Sequence, residues 1–267
     1  ASISYGNQMD LTVSDFLEAA LDDDGVKVVA CYIEGFKPLD ATRFVDLARR
    51  LRAKGRRVLA FKAGKTALGA KAAQSHTASL AGDYAVARAL MEEAGVVVAE
   101  TLDMLEDYTK AFTMLYDRLP RGNRIAVLSN AGFECSSVLD KLYGLVPAPL
   151  TDETRARLAA CLPGVGHAGN PADATPMATT AQFVAAAQAM VDDPTVDALL
   201  VSPVPVTPAL DNLAPDLSGA HGENIHSPGS LPNGLLELFR GTTKPVAVAV
   251  DSGRLYDDFV QVLQRGG

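Results

Sequence analysis

The chain has 267 residues, 48% apolar and 21% charged, with 24 basic against 32 acidic side chains and a net charge of −8. That length suits one or two domains with their own cores. The acidic balance, without a basic patch interleaved with aromatics, argues against a nucleic-acid partner. No apolar run reaches the ~18–20 residues that span a bilayer, so no membrane partner is expected. Nor does a basic-then-apolar leader open the chain. The three cysteines, Cys31, Cys135 and Cys161, form neither a disulfide framework nor a zinc spacing, and a reduced, cytoplasmic protein is expected.

The predicted elements alternate between strand and helix. Ser2–Tyr5 is all that remains for an opening strand, and a helix follows with Phe16, Leu17, Ala20 and Leu21 on one face. Val26–Ile33 is nearly continuous in apolar residues, as a strand covered on both faces should be. Phe44, Leu47, Ala48 and Leu51 form the next helical stripe, and Val58–Phe61 the next strand. Val86, Leu90, Met91 and Ala94 then precede a strand at Val96–Val98. Further strands are predicted at Arg124–Ser129, Asp197–Ser202 and Pro245–Val250. This βαβ pattern predicts an α/β protein whose parallel sheets are sandwiched by helices in three layers. The turn-rich step Pro120-Arg121-Gly122-Asn123 divides it into domains at 1–120 and 121–267. Thr207 to Asn233, rich in Pro, Gly and Asn, is expected to be a mobile loop.

Parallel sheets bind ligands at the carboxyl ends of their strands, so polar residues there are the candidates. Glu34 follows the first long strand and Lys62 the second. A run of Gly, Ala, Ser and Lys then leads to Gln74-Ser75-His76-Thr77-Ala78-Ser79-Leu80-Ala81-Gly82. With so little bulk to pack, this stretch is predicted to be a loop displaying the His76 imidazole. An imidazole beside a carboxylate serves proton transfer or nucleophilic attack, because the carboxylate fixes the tautomer and stabilises charge on the ring. Two strand-to-helix openings look alike, Ser4-Tyr5-Gly6-Asn7-Gln8 and Ser129-Asn130-Ala131-Gly132-Phe133. Each is expected to offer free backbone N–H groups and a positive helix end to an anion.

Other patterns lack their structural context. Gly164-Val165-Gly166-His167-Ala168-Gly169 matches G-x-G-x-x-G by letter. It follows a helical stretch and runs into Asn170-Pro171, so it does not read as a dinucleotide site. His221 and His226 fall in the Pro/Gly-rich segment without helical pairing, and no metal site is expected.

Together Gly6-Asn7-Gln8 with Asp10 and Asp15-Phe16-Leu17, Tyr32-Ile33-Glu34-Gly35, Lys62-Ala63-Gly64, Ser75-His76-Thr77, Ser79-Leu80-Ala81-Gly82, Ser129-Asn130-Ala131-Gly132 and Asn170-Pro171-Ala172-Asp173 resemble the NDP-forming acyl-CoA synthetases. These are the ADP-forming acetate–CoA ligases and relatives of succinyl-CoA synthetase. The resemblance implies two flavodoxin-like domains and the reaction of a carboxylic acid, CoA and ATP to acyl-CoA, ADP and phosphate. It implies that His76 is phosphorylated, that Glu34 orients its imidazole, and that two helices hold the phosphate. Those helices follow Gly6, Asn7 and Gln8 in one domain and Asn130, Ala131 and Gly132 in the other. Lys62, Ser75 and Thr77 would support the site.

The chain departs from the pattern at Ala78, where the family reads Gly, and at Phe133-Glu134-Cys135, where it reads Gly-Pro-Gly. Glu134 would repel a phosphate nearby. The resemblance also implies a Rossmann-like CoA-binding domain and an ATP-grasp domain, in the same polypeptide or a partner subunit, and an oligomer. CoA, ATP and magnesium would be used by the complete enzyme, and none is expected to bind this chain tightly. The start at Ala1 suggests a fragment with the CoA-binding domain upstream. The alternative is an acyl-CoA-linked protein acetyltransferase or regulatory platform of the same fold. Its members lose the histidine that His76 matches. A plain flavodoxin-like module would bind flavin, for which no specific loop is present. The acid, and ADP against GDP, stay open.

Overall fold

The computed structural model describes residues 1–77 and 83–266, except the side chains of residues 73–77. Its contacts form two units, Ala1–Tyr116 and Asp117–Gly267.

The first unit runs α1 (Val13–Asp22), β1 (Val28–Ile33), α2 (Asp40–Ala53), β2 (Arg57–Lys62), α3 (Ala67–Thr77), α4 (Tyr84–Glu93), β3 (Val97–Ala99) and α5 (Leu102–Met114). Among the described residues its strands form one parallel sheet in the order β1-β2-β3. Leu17 of α1 and Phe44, Leu47 and Leu51 of α2 pack with Cys31, Ile33, Val58 and Ala60 in one core cluster. The periodicities of 3.6 in the helices and 2 in the strands direct these residues inward. The opening strand expected at Ser2–Tyr5 is absent; Tyr5 packs its ring on Phe16 at a centroid distance of 4.8 Å.

The second unit runs β4 (Arg124–Ser129), α6 (Gly132–Leu139), β5 (Val146–Pro147), α7 (Asp152–Cys161), β6 (Ala172–Asp173), α8 (Thr180–Asp192), β7 (Ala198–Ser202), α9 (Leu231–Gly241), β8 (Val246–Val248) and α10 (Asp257–Gly266). Its described strands are parallel in the order β5-β4-β7-β8, with β6 also paired to β4. Phe183 and Met190 of α8, Leu128, Leu199 and Phe259 are fully buried in its core. The Asn170 side chain bridges β4 to the residue that follows β5. Its Nδ2 donates to Ile125 O (2.8 Å) and Ala148 O (3.0 Å), while its Oδ1 accepts from Val127 N (3.0 Å).

Two expectations are corrected here. The stretch from Ala67 to Thr77, read as a displayed loop, is helical. Alanine is the strongest helix former, and the Thr66 hydroxyl caps the start by accepting from Gly69 N (3.1 Å). Thr207 to Asn233, read as mobile, is packed. Leu210, Ile225 and Leu231 belong to buried apolar surface, and buried Asn212 and Ser230 hold the turns. The Glu223 carboxylate accepts from Asn212 N (2.8 Å) and Leu213 N (3.1 Å), and Asp211 accepts from Asn224 N (2.9 Å). Side chains that serve as turn acceptors replace the missing secondary structure.

Candidate active site

Strand alternation builds the site in the first unit. Cys31 and Ile33 of β1 point into the core, so Tyr32 and then Glu34 fall on the opposite side. Tyr32 is in register with Phe61 of β2, and the two rings stack with centroids 5.7 Å apart and planes at 14°. The Tyr32 hydroxyl donates to Glu34 Oε1 at 3.2 Å. Burial, and then the Glu34 carboxylate, push the Tyr32 phenol above its ordinary pKa.

Lys62 ends β2 and is 4% exposed. Its Nζ donates to Glu34 O (2.9 Å) and Ala63 O (2.6 Å). Burial pulls this ammonium below its usual pKa, against the opposing attraction of Glu34. Lys62 therefore fastens the two strand ends together. Gln8 holds the same turn from the other side, donating from Nε2 to Gly35 O at 3.0 Å.

An open cleft of ≈ 470 Å³ lies at these strand ends, with Tyr32, Glu34, Phe61, Gly64, Gly69 and Ala72 among its walls. Gly69 and Ala72 are three apart on α3, and four residues further the same helix face carries position 76. His76, with Ser75 and Thr77, stands in the last turn of α3. Their side chains, and the Ala78–Gly82 part of the predicted loop, lie outside what is described. The turn before α3 is tied down by Lys65, which pairs with Glu100 beyond β3. Arg88 of α4 pairs with the same carboxylate.

The two predicted anion-binding helix starts differ. The first helix does not open on Gly6-Asn7-Gln8 but at Val13, after Thr12. Gln8 takes a left-handed φ of 53°, and its N–H bonds Gly6 O at 2.8 Å, which turns the chain away from a helix. The Asp15 carboxylate closes the helix end, accepting from Thr12 N (2.7 Å) and Thr12 Oγ1 (3.1 Å). In the second unit, α6 does begin at Gly132, directly after β4, Asn130 and Ala131. Asn130 is 1% exposed, and its amide exchanges two hydrogen bonds with Val204, Nδ2 to O (2.9 Å) and N to Oδ1 (2.7 Å). Ala131 N donates to Ser129 Oγ at 3.1 Å, and no side chain caps the helix.

Two carboxylates stand beside that helix end. Glu134 Oε2 accepts from Ser202 Oγ at 3.2 Å, and a Cβ on Gly132 would come within 3.3 Å of Asp173 Oδ2. Burial, and then Asp173, push the Cys135 thiol up to about 11, which leaves it an inert apolar filler of the first turn. Among the described residues no group of three or more His, Cys, Asp or Glu could hold a metal ion. No described helix is long and apolar enough to cross a membrane.

Known proteins match this architecture. A family model described as the succinyl-CoA ligase like flavodoxin domain matches residues 1–112. The alpha subunit of the ADP-forming acetate–CoA ligase II of Pyrococcus furiosus is 33% identical over 267 residues, which covers 99% of this chain and 54% of that protein. The chain is thus similar to an ADP-forming acetate–CoA ligase subunit along nearly its whole length. An ADP-forming acetate–CoA ligase I of Archaeoglobus fulgidus is 34% identical over 200 residues, 74% of this chain and 28% of that one. Among solved structures, a dinucleotide-forming acetyl-coenzyme A synthetase of Ca. Korarchaeum cryptofilum, in complex with phosphate and ADP, superposes with a TM-score of 0.82. It is 26% identical and covers 99% of this chain and 54% of its own. The chain thus spans about half the length of the Pyrococcus subunit and less of the Archaeoglobus enzyme.

Sequence reasoning missed Tyr32, Phe61 and Glu100 as parts of the site, and it expected Gln8 at a helix start rather than bonded to Gly35 O. Tyr32 was within reach of it, since two residues before Glu34 on a strand is the same face. The ion pairs through Glu100 had no local signal.

Proposed function

We propose that this chain is the phosphoryl-relay core of an NDP-forming acyl-CoA synthetase, converting a carboxylic acid, CoA and ATP to acyl-CoA, ADP and phosphate. The observation that carries the reading is the Glu34 carboxylate at the end of β1, in a cleft also lined by Gly69 and Ala72 of α3, the helix on which His76 stands. The printed names of the relatives support the same reaction class.

In the proposed cycle the unprotonated nitrogen of His76 attacks the γ-phosphorus of ATP, so an N–P bond forms and the P–O bond to ADP breaks. Glu34 accepts the hydrogen bond of the other ring N–H and stabilises the charge that develops. The phosphoryl group then passes to the carboxylate of the acid, and the CoA thiolate displaces phosphate from the acyl phosphate. Backbone N–H groups at the start of α6, and the Gly6–Gln8 segment, are the proposed phosphate contacts. The α6 end would offset such charge by about 0.3–2 kcal/mol. Lys62, Ser75 and Thr77 are the proposed supporting residues. A CoA-binding Rossmann-like domain and an ATP-grasp domain, fused or on a partner subunit, would complete an oligomeric cytoplasmic enzyme using magnesium–ATP.

The test incubates the complete enzyme with γ-labelled ATP and magnesium. An acid-labile, base-stable label that disappears in His76→Ala is the expected result. Equal labelling of His76→Ala and wild type rejects the relay.

A further inference from the structure

A glutamate on a flexible stem orients an imidazole only if its own carboxylate is anchored, because free rotamers blur the geometry that the proton-holding role needs. Among the described residues one hydrogen bond reaches the Glu34 carboxylate, from the Tyr32 hydroxyl to Oε1 at 3.2 Å. Lys62 and Gln8 hold the same turn, but through the backbone carbonyls of Glu34 and Gly35. They fix where the residue starts and not where its carboxylate points.

The ring of Tyr32, 51% exposed, is braced on one face. It lies against Phe61 with the planes 14° apart, and the two residues are register partners on adjacent parallel strands. From these contacts we infer that Tyr32 is a positioning residue, whose hydroxyl, braced by the Phe61 stack, aims the Glu34 carboxylate at the histidine it serves. The inference rests on the role given to Glu34 above. With Oε1 taken by the phenol, Oε2 keeps its lone pairs for an imidazole N–H. Burial and the carboxylate itself raise the phenol pKa, so Tyr32 stays protonated and donating throughout the neutral range. Strand alternation puts residues 32 and 34 on one face, and the register of β1 with β2 supplies the Phe61 brace.

The test measures single-turnover phosphorylation of His76 from γ-labelled ATP in the complete enzyme, for Tyr32→Phe, Glu34→Gln and the double variant. Tyr32→Phe keeps the stacked ring, and an unchanged melting temperature verifies the fold. It is expected to slow phosphorylation about three- to tenfold at unchanged KM for ATP. The double variant is expected to be no slower than Glu34→Gln, because Tyr32 acts through that carboxylate. A wild-type rate for Tyr32→Phe beside a slowed Glu34→Gln overturns the role of Tyr32 and leaves Glu34 standing. Losses that multiply in the double variant overturn it too, since Tyr32 would then act by another route. A wild-type rate for Glu34→Gln rejects the role of Glu34 and this inference with it.

Discussion

The starts of α1 and α6 present the same physical problem, four backbone N–H groups with no partner inside the helix, and solve it in opposite ways. At α1 the chain supplies its own anion. Asp15 folds back on Thr12, Arg43 pairs with Asp15 at 2.6 Å, and the Thr12 hydroxyl also donates to the buried Asp40 carboxylate at 2.7 Å. At α6 no side chain caps the helix, and the asparagine just before it is turned away to Val204. One end is finished by its own sequence. The other leaves backbone donors for something from outside, with Glu134 and Asp173 close by to weaken any anion that arrives. Both helices carry an acid at their third residue, Asp15 and Glu134, but only Thr12 before α1 has a side chain to complete a capping box; Ala131 before α6 has none.

Breaking the α6 side of this contrast should have the largest effect. Asn130→Ala removes both hydrogen bonds to Val204 and leaves a backbone N–H and C=O without their partner, at a cost of about 2–3 kcal/mol. Urea unfolding followed by a probe in the second unit reads this directly. A change below experimental error would mean that water replaces the asparagine at no cost. On the α1 side, Thr12→Val keeps the shape and removes the hydroxyl. Asp40, 6% exposed, then loses the donor to its Oδ1, while its Oδ2 already lacks one. A loss of about 1–2 kcal/mol is expected in the first unit, and Thr12→Ser should restore most of it.

Acid should also distinguish the α1 end. The Thr12 amide, and then the Arg43 guanidinium, hold the Asp15 carboxyl below its usual range. Its folded pKa is therefore lower than its unfolded one. The stability it contributes is complete above the unfolded value of about 3.9 and is lost as pH falls below it. Thermal melts between neutral pH and pH 3 should fall less steeply for Asp15→Asn than for the wild type. Parallel curves would show that Asp15 is a spectator at the helix end.

The sheets were legible because buried parallel strands read as nearly unbroken apolar runs. Val28–Ile33, Arg57–Lys62, Arg124–Ser129 and Ala198–Ser202 all lie within or beside the runs visible in the sequence. Glu34 and Lys62 were legible as strand-end residues for the same reason. Where the Glu34 carboxylate points was not, since it depends on Tyr32 and on the Phe61 ring of the neighbouring strand. The Ala-rich stretch before His76 was misread because small residues were taken as lack of packing, when alanine's main effect is to favour helix. The segment from Thr207 to Asn233 was misread because its order comes from Asp211, Asn212, Glu223 and Asn233 bonding to backbone, a pattern without period. The start of α1 was misplaced by about one turn, although Thr12 and Asp15 carried a start signal as clear as that of Asn7.

The smallest effect is the most informative about the open helix end. Glu134 is the third residue of α6, where its charge suits the helix dipole in isolation but opposes a phosphate on the same N–H groups. Its Oε2 also receives the Ser202 hydroxyl. Glu134→Gln keeps an oxygen for Ser202 while removing the negative charge, so the local structure is left intact. If inorganic phosphate is held at the start of α6, its affinity should rise about two- to fivefold, the equivalent of about 0.3–1 kcal/mol at low ionic strength. The gain should fade as salt is added, because the charge is close to solvent. Phosphate titrations of the complete enzyme by calorimetry, in low and high salt, would measure both. An affinity indifferent to the substitution at low salt would remove α6 from the phosphate site and leave its open donors to water.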